Sequence, residues 1–286
     1  MDTAEVRTVI DQVLQSDKIK LPVMDRTAVY VQQEVKKDDP DIRQIEKLIK
    51  YDPALTGEVF RVANSAFYKG YSQIKTLQEA IVRLGMNQLS QIVWIVSLGR
   101  MYLASNRSTR HLLQQLWAHS IGCAIGSSWL VNRLQMGGLV QEAFVSGLLH
   151  DMGKLFLLRV FEDSDLSGLP STNGESGSLV AVLNDLHAEY GALCMRTWNF
   201  PESYALVALK HHDPEVDSRD SCLQIVRLLN LICNSHGLGM RSGQQGGQPE
   251  DSAEARLLNV DQEMLQDLQT YLETTLPFFQ GLYCQK

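Results

Sequence analysis

The sequence has no long hydrophobic run, no excess of positive charge and no pattern of alternating polar and apolar residues. The longest apolar stretch, IVWIVSLG from Ile92, is far shorter than the about 20 residues that a membrane helix needs, so no membrane span is expected. Acidic residues number 33 against 26 lysines and arginines, and the formal net charge of -7 argues against general nucleic-acid binding. The polar N-terminal stretch MDTAEVRTVIDQVLQSDKIK does not have the order of a signal peptide.

Cysteine is scarce, and its number is odd. The five residues lie at scattered positions within helix-like stretches: Cys123, Cys194, Cys222, Cys233 and Cys284. Scattered thiols of this kind are typical of proteins in a reducing compartment. We therefore expect free thiols and a cytoplasmic location.

Signals for helices run from end to end of the chain. Asp52 followed by Pro53 predicts the start of one helix. Thr76 and Glu79 form a capping box for the next, and Gly85 is placed to end it. We predict an all-α fold of two packed helical lobes joined by the polar segment 104–110. The predicted divisions are an N-terminal lobe 1–107, a C-terminal lobe 108–236, and a linker with a C-terminal helix packed on the domain, 237–286.

Only seven histidines occur, and five of them have inward-facing or helix-end positions in the C-terminal lobe: His119, His150, His187, His211 and His212. His119 and His187 fall on apolar helical stripes. His150 precedes Asp151 inside the apolar segment 141–161, which is predicted to be one helix. Helices that each deliver an imidazole to a common interior build metal sites, and imidazoles with one carboxylate suit Fe, Zn, Mn or Ni better than Mg or Ca.

A simpler explanation exists for each histidine alone. A core histidine is usually bonded to a backbone carbonyl, and His211 with His212 could cap the C-terminal end of a helix. Five separate core histidines would need five partners, whereas one shared metal satisfies them together. We therefore predict a metal site formed by these histidines and Asp151. His111 and His236 fall outside the pattern and are predicted to lie at the surface.

Several motifs resemble a known family. WAHS with His119, GLLHDMGK with His150, Asp151 and Lys154, and LHAEYGA and LKHHDP with the later histidines resemble HD-type helical domains, including the two-metal HD-GYP branch. LPVM at 21, YDPALTGEVFRVANSAFY at 51–68, IKTLQEAIVRLGMNQL at 74–89 and WNFP at 198–201 resemble the HDOD domain, the HD-related output domain of bacterial signalling proteins. The resemblance covers roughly residues 20–235 and implies that the C-terminal lobe is an HD-type helical domain.

The chain departs from the catalytic pattern of that superfamily at two positions. Asn230 stands where HD phosphohydrolases carry an aspartate ligand, and Gln115 where the two-metal branch carries a glutamate. The GYP segment is also missing. Two amides thus replace two acids, which weakens the binding of hard divalent ions.

The resemblance implies a bacterial regulatory module that binds a metal or a phosphate-containing ligand, contacts a signalling protein partner and has little or no catalytic activity. The alternative is a metal-dependent phosphohydrolase, in which the metal activates water and Asp151 and Lys154 would be catalytic. An inert scaffold ranks third. No receiver, cyclase or kinase segment is recognisable, so the input is expected from another chain. Neither that partner nor the oligomeric state can be identified from the sequence.

A second candidate site lies in the N-terminal lobe, where ANSAFY places Asn64 and Ser65 near a helix end. These residues either bond nearby backbone groups or line a ligand cleft. We favour the first explanation.

Overall fold

The computed structural model describes residues 3–15, 24–68, 72–104, 107, 109–162, 176–213, 219–240 and 248–282. The regular elements described are α-helices and short 3-10 turns, and none of the described residues forms a strand, so the predicted all-α class is confirmed. None of the described helices is long and apolar enough to cross a membrane. Some predictions fall outside the described residues: those for residues 21–23, for 105, 106 and 108 of the polar segment, for 241–247 of the linker, and for Cys284.

The α-helices follow one another in this order: α1 (Thr3–Gln15), α2 (Arg26–Val35), α3 (Ile42–Lys50), α4 (Pro53–Ala63), α5 (Leu77–Leu84), α6 (Met86–Gly99), α7 (Arg110–Arg133), α8 (Val140–Leu149), α9 (Met152–Glu162), α10 (Ser176–Thr197), α11 (Glu202–Lys210), α12 (Ser221–Ser235), α13 (Ala253–Leu257) and α14 (Gln262–Gln280). Short 3-10 turns occupy Arg100–Tyr102, Gly137–Leu139 and Pro249–Asp251.

The helices form two compact units. The larger unit contains α1 and the described residues from Tyr102 to Pro277, and the smaller unit contains those from Met24 to Met101 and from Phe278 onward. This grouping differs from the predicted divisions 1–107, 108–236 and 237–286, because α1 goes with the larger unit. The predicted domain boundaries themselves stay predictions.

Side-chain caps explain where several helices begin. The Asp52 carboxylate accepts hydrogen bonds from the backbone N–H groups of Ala54 and Leu55 at 2.9 and 3.0 Å, and Pro53 occupies the first turn of α4. Thr76 caps α5 by accepting from the N–H of Glu79 at 3.1 Å. Such caps satisfy backbone donors that have no partner inside the helix. Both predicted helix starts therefore agree with the structure.

Gly85 ends α5 and also begins α6. Its φ of 76° lies in the left-handed region, which a residue with a Cβ adopts only at a cost. Its N–H donates to the carbonyl of Ile81 at 2.8 Å, which closes α5, and its carbonyl accepts from the N–H of Leu89 at 3.0 Å, which opens α6. One glycine therefore sets the bend between two helices of the smaller unit.

The single helix predicted over 141–161 is wrong. Two helices, α8 and α9, occupy this stretch, and His150 and Asp151 form the turn between them. The N–H of Lys154 donates to the carbonyl of Asp151 at 2.9 Å, so α9 begins a new hydrogen-bond ladder there. In a continuous helix, the side chains of adjacent residues point about 100° apart. The break instead turns those of His150 and Asp151 toward the same interior.

Two glycines let helices of the larger unit approach closely. A Cβ added at Gly147 of α8 would lie 2.7 Å from the carbonyl oxygen of Cys123 on α7. A Cβ added at Gly153 of α9 would lie only 1.9 Å from the carbonyl oxygen of His187 on α10. These contacts flank His150 and Asp151, so the helix packing itself brings the candidate site together.

In the smaller unit, Asn64 bonds to backbone groups on both sides of the loop after α4. Its amide nitrogen donates to the carbonyls of Phe60 and Ile74, each at 3.1 Å, and its oxygen accepts from the N–H of Ile74 at 2.7 Å. The Ser65 hydroxyl donates to the carbonyl of Val62 at 2.7 Å. The bonding to nearby backbone predicted for Asn64 and Ser65 is present.

Candidate metal centre

The structure brings the six predicted site residues into one place in the larger unit. His119 comes from α7, His150 and Asp151 from the turn before α9, His187 from α10, and His211 with His212 from the end of α11. Five of these side chains are buried, each residue with at most 3% of its surface exposed, whereas His212 is exposed. His111 and His236 lie exposed on the surface, as predicted. Metal binding by the six stays a prediction.

Four of the imidazoles are oriented by the same kind of hydrogen bond. Their Nδ1 atoms lie 2.8 to 2.9 Å from backbone carbonyl oxygens, namely those of Leu238 for His119, Gly147 for His150, Leu183 for His187 and Ala208 for His211. A carbonyl only accepts, so each Nδ1 carries the hydrogen. In the neutral ring, Nε2 is then an acceptor with a free lone pair. The carbonyl bond expected of a core histidine is therefore present at Nδ1 of these four rings, and it leaves Nε2 to be explained.

The four Nε2 atoms surround the carboxylate of Asp151 in two pairs. The Nε2 atoms of His119 and His150 are 3.2 Å apart, and each is 3.6 Å from Oδ2 of Asp151. Those of His187 and His211 are also 3.2 Å apart, and they lie 3.3 and 3.4 Å from Oδ1. Two acceptor nitrogens and an acceptor oxygen thus face one another on each side of the carboxylate.

Asp151 is the anion at the centre of this cluster. Burial alone would raise its pKa, but Lys154 and the neighbouring imidazoles hold that pKa well below its usual range. The Lys154 ammonium donates to Oδ2 at 2.6 Å. Oδ1 is buried and accepts no hydrogen bond, a costly state for a charged oxygen. A cation between Oδ1 and the nearby Nε2 atoms would satisfy it.

Three of the buried histidines, His119, His150 and His187, are neutral at physiological pH because their pKa values are lowered. Burial lowers the pKa of His119 and, more strongly, that of His150, although the charge of Asp151 opposes the shift. Burial also lowers the pKa of His187 to about 3. Neutral imidazole is the form that binds metals. The Nε2 lone pairs of these three rings are therefore free at physiological pH.

The spacing of the donor atoms fits tetrahedral coordination. With zinc–nitrogen bonds of about 2.0–2.1 Å and zinc–oxygen bonds of about 2.0–2.2 Å, the edges of a tetrahedron are about 3.3 Å between nitrogens and about 3.4 Å between nitrogen and oxygen. The corresponding distances in the cluster are 3.2 Å between nitrogens and 3.3 to 3.6 Å from nitrogen to oxygen. The residues present therefore fit a divalent transition metal.

His212 stands at the edge of the second pair. Its ring centroid lies 4.1 Å from that of His211 and 5.1 Å from that of His187. One ligand atom from each of Asp151, His187, His211 and His212 can be chosen so that all four lie within 4.8 Å of one another. The side of the cluster formed by His187 and His211 therefore extends to the exposed His212.

Cys123 is a potential donor that the sequence reasoning missed. It lies one turn after His119 on α7, is fully buried, and its Sγ is 3.6 Å from Nε2 of His119. The signal was present, since a spacing of four residues places both side chains on one face of a helix. The sequence analysis predicts only a free thiol at Cys123.

Asn230 and Gln115, which stand where the catalytic pattern has carboxylates, occupy different environments. Asn230 of α12 is buried, and its side-chain oxygen accepts a hydrogen bond from the Asn234 amide at 2.9 Å. Gln115 of α7 is only partly buried. Neither supplies an anionic ligand, so Asp151 is the only one of the six predicted site residues that carries a negative charge.

The larger unit is helical, and its four buried imidazoles around one carboxylate form a candidate metal centre. The HDOD domain family matches residues 21–214, more than half of the chain, so the chain belongs to the HDOD family. An uncharacterized protein of Treponema pallidum (strain Nichols) is 24% identical over 198 residues, which are 68% of this chain and 38% of that protein. The chain thus spans well under half of the length of that relative.

Solved structures share the fold at low sequence identity. An HDOD domain protein of unknown function from Geobacter sulfurreducens is 18% identical, with a TM-score of 0.72 over 99% of this chain and 100% of that one. A protein from Shewanella amazonensis SB2B, whose name proposes a metal-dependent phosphohydrolase, is 19% identical, with a TM-score of 0.72 over 98% and 99%. A protein from Marinobacter aquaeolei VT8, whose name proposes signal transduction, is 19% identical, with a TM-score of 0.71 over 100% and 67%. At such identities the likeness shows the fold alone.

Proposed function

We propose that the chain is a regulatory HDOD module that holds a divalent transition metal around Asp151 and passes the occupied state to a protein partner, with little or no catalysis. The observation that carries the proposal is the arrangement of Nε2 atoms on both sides of one buried carboxylate. Every one of these groups is an acceptor, and acceptors gathered in a buried space attract a cation.

The donor chemistry favours a metal over a phosphate-containing ligand. A phosphate needs hydrogen-bond donors or positive charge. The Nδ1–H groups of the four rings are already bonded to carbonyls, and the Lys154 ammonium is bonded to Asp151. Imidazole nitrogens with one carboxylate suit Fe, Zn, Mn or Ni. Such a metal, when bound, supplies Lewis acidity, while the chain positions the ligands and limits access of water.

Weak catalysis is expected because negative charge is scarce. Hydrolytic two-metal sites clamp the attacking and leaving oxygens between two cations about 3.5–4 Å apart. Two divalent cations around Asp151 alone would leave a large uncompensated positive charge in a buried space. Asn230 and Gln115 offer no carboxylate to offset it, and the Lys154 ammonium adds to it.

A phosphohydrolase is the second candidate, and His212 is the observation that favours it. A catalytic metal keeps one coordination position open to substrate, and the exposed His212 marks a side of the cluster near solvent. In that case Asp151 would hold the metal, and Lys154 would steady a phosphoryl oxygen.

The first test is metal content. Protein purified without chelators would be analysed for transition metals, and its melting temperature would be recorded before and after adding Zn, Fe or Mn. We expect bound metal and a rise in melting temperature, since a ligand that binds only the folded state stabilises it. Asp151→Asn should abolish both effects, whereas the matched control His111→Gln, at an exposed histidine, should leave them intact.

The second test is hydrolysis. Cyclic dinucleotides, nucleotides and an activated aryl phosphate would be assayed with Mn, Fe and Ni. Turnover that disappears in Asp151→Ala would favour the phosphohydrolase. If wild-type protein neither carries metal nor melts higher after adding any of the ions, the metal centre is wrong and the inert scaffold is the better description.

A further inference from the structure

We propose that Cys123 is a fourth ligand, which joins His119, His150 and Asp151 in a closed four-donor site for Zn²⁺ or a similar thiophilic divalent ion. This inference rests on the metal centre proposed above and adds to it a thiolate donor and a preferred class of metal. The Nε2 atoms of His119 and His150 lie 3.6 Å from Oδ2 of Asp151, and we call the four residues together the thiol side of the centre.

The position of the sulfur agrees with tetrahedral coordination. With a zinc–sulfur bond of about 2.3 Å and a zinc–nitrogen bond of about 2.0–2.1 Å, the edge between the two donors is about 3.5 Å. The Sγ of Cys123 lies 3.6 Å from Nε2 of His119. Ligand atoms of Cys123, His119 and His150 all fall within 4.8 Å of one another.

The helix packing fixes Cys123 where the thiol side needs it. Its backbone carbonyl lies at the close approach of α7 and α8, opposite Gly147. The carbonyl of Gly147 in turn accepts from Nδ1 of His150 at 2.8 Å. The close contact at Gly147 therefore sets the distance between the Cys123 thiol on α7 and the His150 imidazole just after α8.

Cys233 of α12 lies next to this thiol. Burial, with Cys233 as a neighbour, raises the pKa of the Cys123 thiol, and both cysteines are fully buried. A thiol next to a metal-bound thiolate can donate to the sulfur, and such outer partners tune ligand strength. On binding, the metal replaces the proton of the Cys123 thiol, and that proton leaves to solvent.

A thiolate changes what the centre can hold and do. Thiolates select Zn, Fe or Cu(I) over Mg, Ca and Mn. A thiolate also adds a second negative charge beside Asp151, which partly offsets the charge of a divalent ion and of Lys154. Four protein donors leave no position open to water, which is typical of structural rather than catalytic zinc. The thiol side would therefore hold its metal without hydrolysing a substrate.

The direct test is X-ray absorption at the zinc edge of the wild-type protein, kept reduced and loaded with Zn²⁺ alone. We expect a sulfur neighbour at about 2.3 Å, with one sulfur per zinc when only the thiol side is filled and half that when two ions bind. Protein loaded with Co²⁺ should show thiolate-to-cobalt charge-transfer absorption in the near ultraviolet. Both readouts use the intact chain and need no activity.

Variants identify the sulfur. Cys123→Ser and Cys123→Ala should lose the sulfur neighbour and the cobalt band. Their zinc affinity, measured against a competing chelator, should fall roughly tenfold or more, since loss of even an outer-shell partner costs ten- to a hundredfold. The matched control is Cys194→Ser, a buried thiol on α10, which should keep all three signals.

The outcomes separate this inference from the metal centre on which it rests. If no metal binds, the proposed centre itself is wrong. If zinc binds at the wild-type level with only nitrogen and oxygen neighbours, the centre stands and Cys123 is not a ligand. A sulfur signal that survives in Cys123→Ala and disappears in Cys233→Ala would assign the thiolate to the other cysteine and overturn the proposal.

Discussion

Substitution of Gly153 by alanine should directly disturb the packing of α9 against α10. A Cβ at this position would lie 1.9 Å from the carbonyl oxygen of His187 and 2.6 Å from the backbone nitrogen of Gly191. Both obstacles are backbone atoms of α10, which cannot move away by changing a rotamer. The helices α9 and α10 would have to separate by about 1 Å or more before the contact became tolerable.

The expected loss in the free energy of unfolding follows from two opposing effects. Forcing an extra carbon into a packed interior costs typically about 1–3 kcal/mol, and contacts with backbone on two sides place Gly153 at the upper end. Alanine is favoured over glycine within a helix by about 1 kcal/mol, which offsets part of the cost. We expect a net loss of about 2 kcal/mol, which at roughly 2–4 °C per kcal/mol lowers the melting temperature by several degrees.

The assay is urea and thermal unfolding of metal-free protein, followed by zinc titration. Gly57→Ala in α4 is the control, because a Cβ there would meet nothing within 4 Å. That variant should be as stable as wild type or more stable by up to about 1 kcal/mol. Separation of α9 from α10 should also draw His187 away from Asp151 and weaken metal binding, since coordination tolerates only about 0.2 Å.

Two results would refute this reasoning. One is a Gly153→Ala protein that unfolds at the same urea concentration as wild type. The other is a destabilised Gly153→Ala protein that still binds zinc with unchanged affinity and stoichiometry, because the α9–α10 contact would then play no part in placing the donors.

Three further predictions concern pH, a lost ligand and a helix cap. Metal-free protein should lose stability as the pH falls below 6.5, by about 1 kcal/mol per pH unit from His187 alone, because that imidazole has a pKa of about 3 when folded and about 6.5 when unfolded. Urea midpoints at pH 7.5 and 5 check this, and His187→Gln should show a smaller drop. Asn230→Asp should raise metal affinity and any phosphodiesterase activity, with a double variant carrying Asp151→Ala as the inactive control; unchanged values would mean that residue 230 does not reach the metal. Asp52→Ala should cost about 1 kcal/mol in thermal unfolding by removing the cap of α4, and Arg100→Gln, which removes only the 2.6 Å ion pair to that carboxylate, should cost less.

Local sequence patterns were enough to predict much of the fold. Short-range patterns mark the start of α4 at Asp52 and Pro53, the start of α5 at Thr76 and Glu79, and the backbone bonding of Asn64. The residues involved are at most ten positions apart, so these features can be predicted from the sequence. The gathering of five histidines and Asp151 was also foreseeable, because apolar stripes determine which side chains face inward. That these residues bind a metal stays a prediction.

The remaining features depend on contacts between distant segments. The break at His150 and Asp151 carries no proline and lies between apolar residues on both sides, so periodicity continued through it. The pairing of two imidazoles with each carboxylate oxygen requires the packing of α7 to α11. Cys123 was overlooked because a buried thiol on an apolar stripe looks the same in sequence whether it fills space or faces an imidazole.

The carbonyl bonds at Nδ1 have a consequence for how the module could communicate. His150, His187 and His211 each bond to a carbonyl three or four residues earlier in their own segment, so the aim of each ring is set within its helix. The packing of the helices against one another then sets the distances between the rings. If the proposed metal centre is present, its affinity for a cation depends on the spacing of these helices. A partner that shifts one helix would then change the metal affinity, and metal binding would change the affinity for that partner by the same factor.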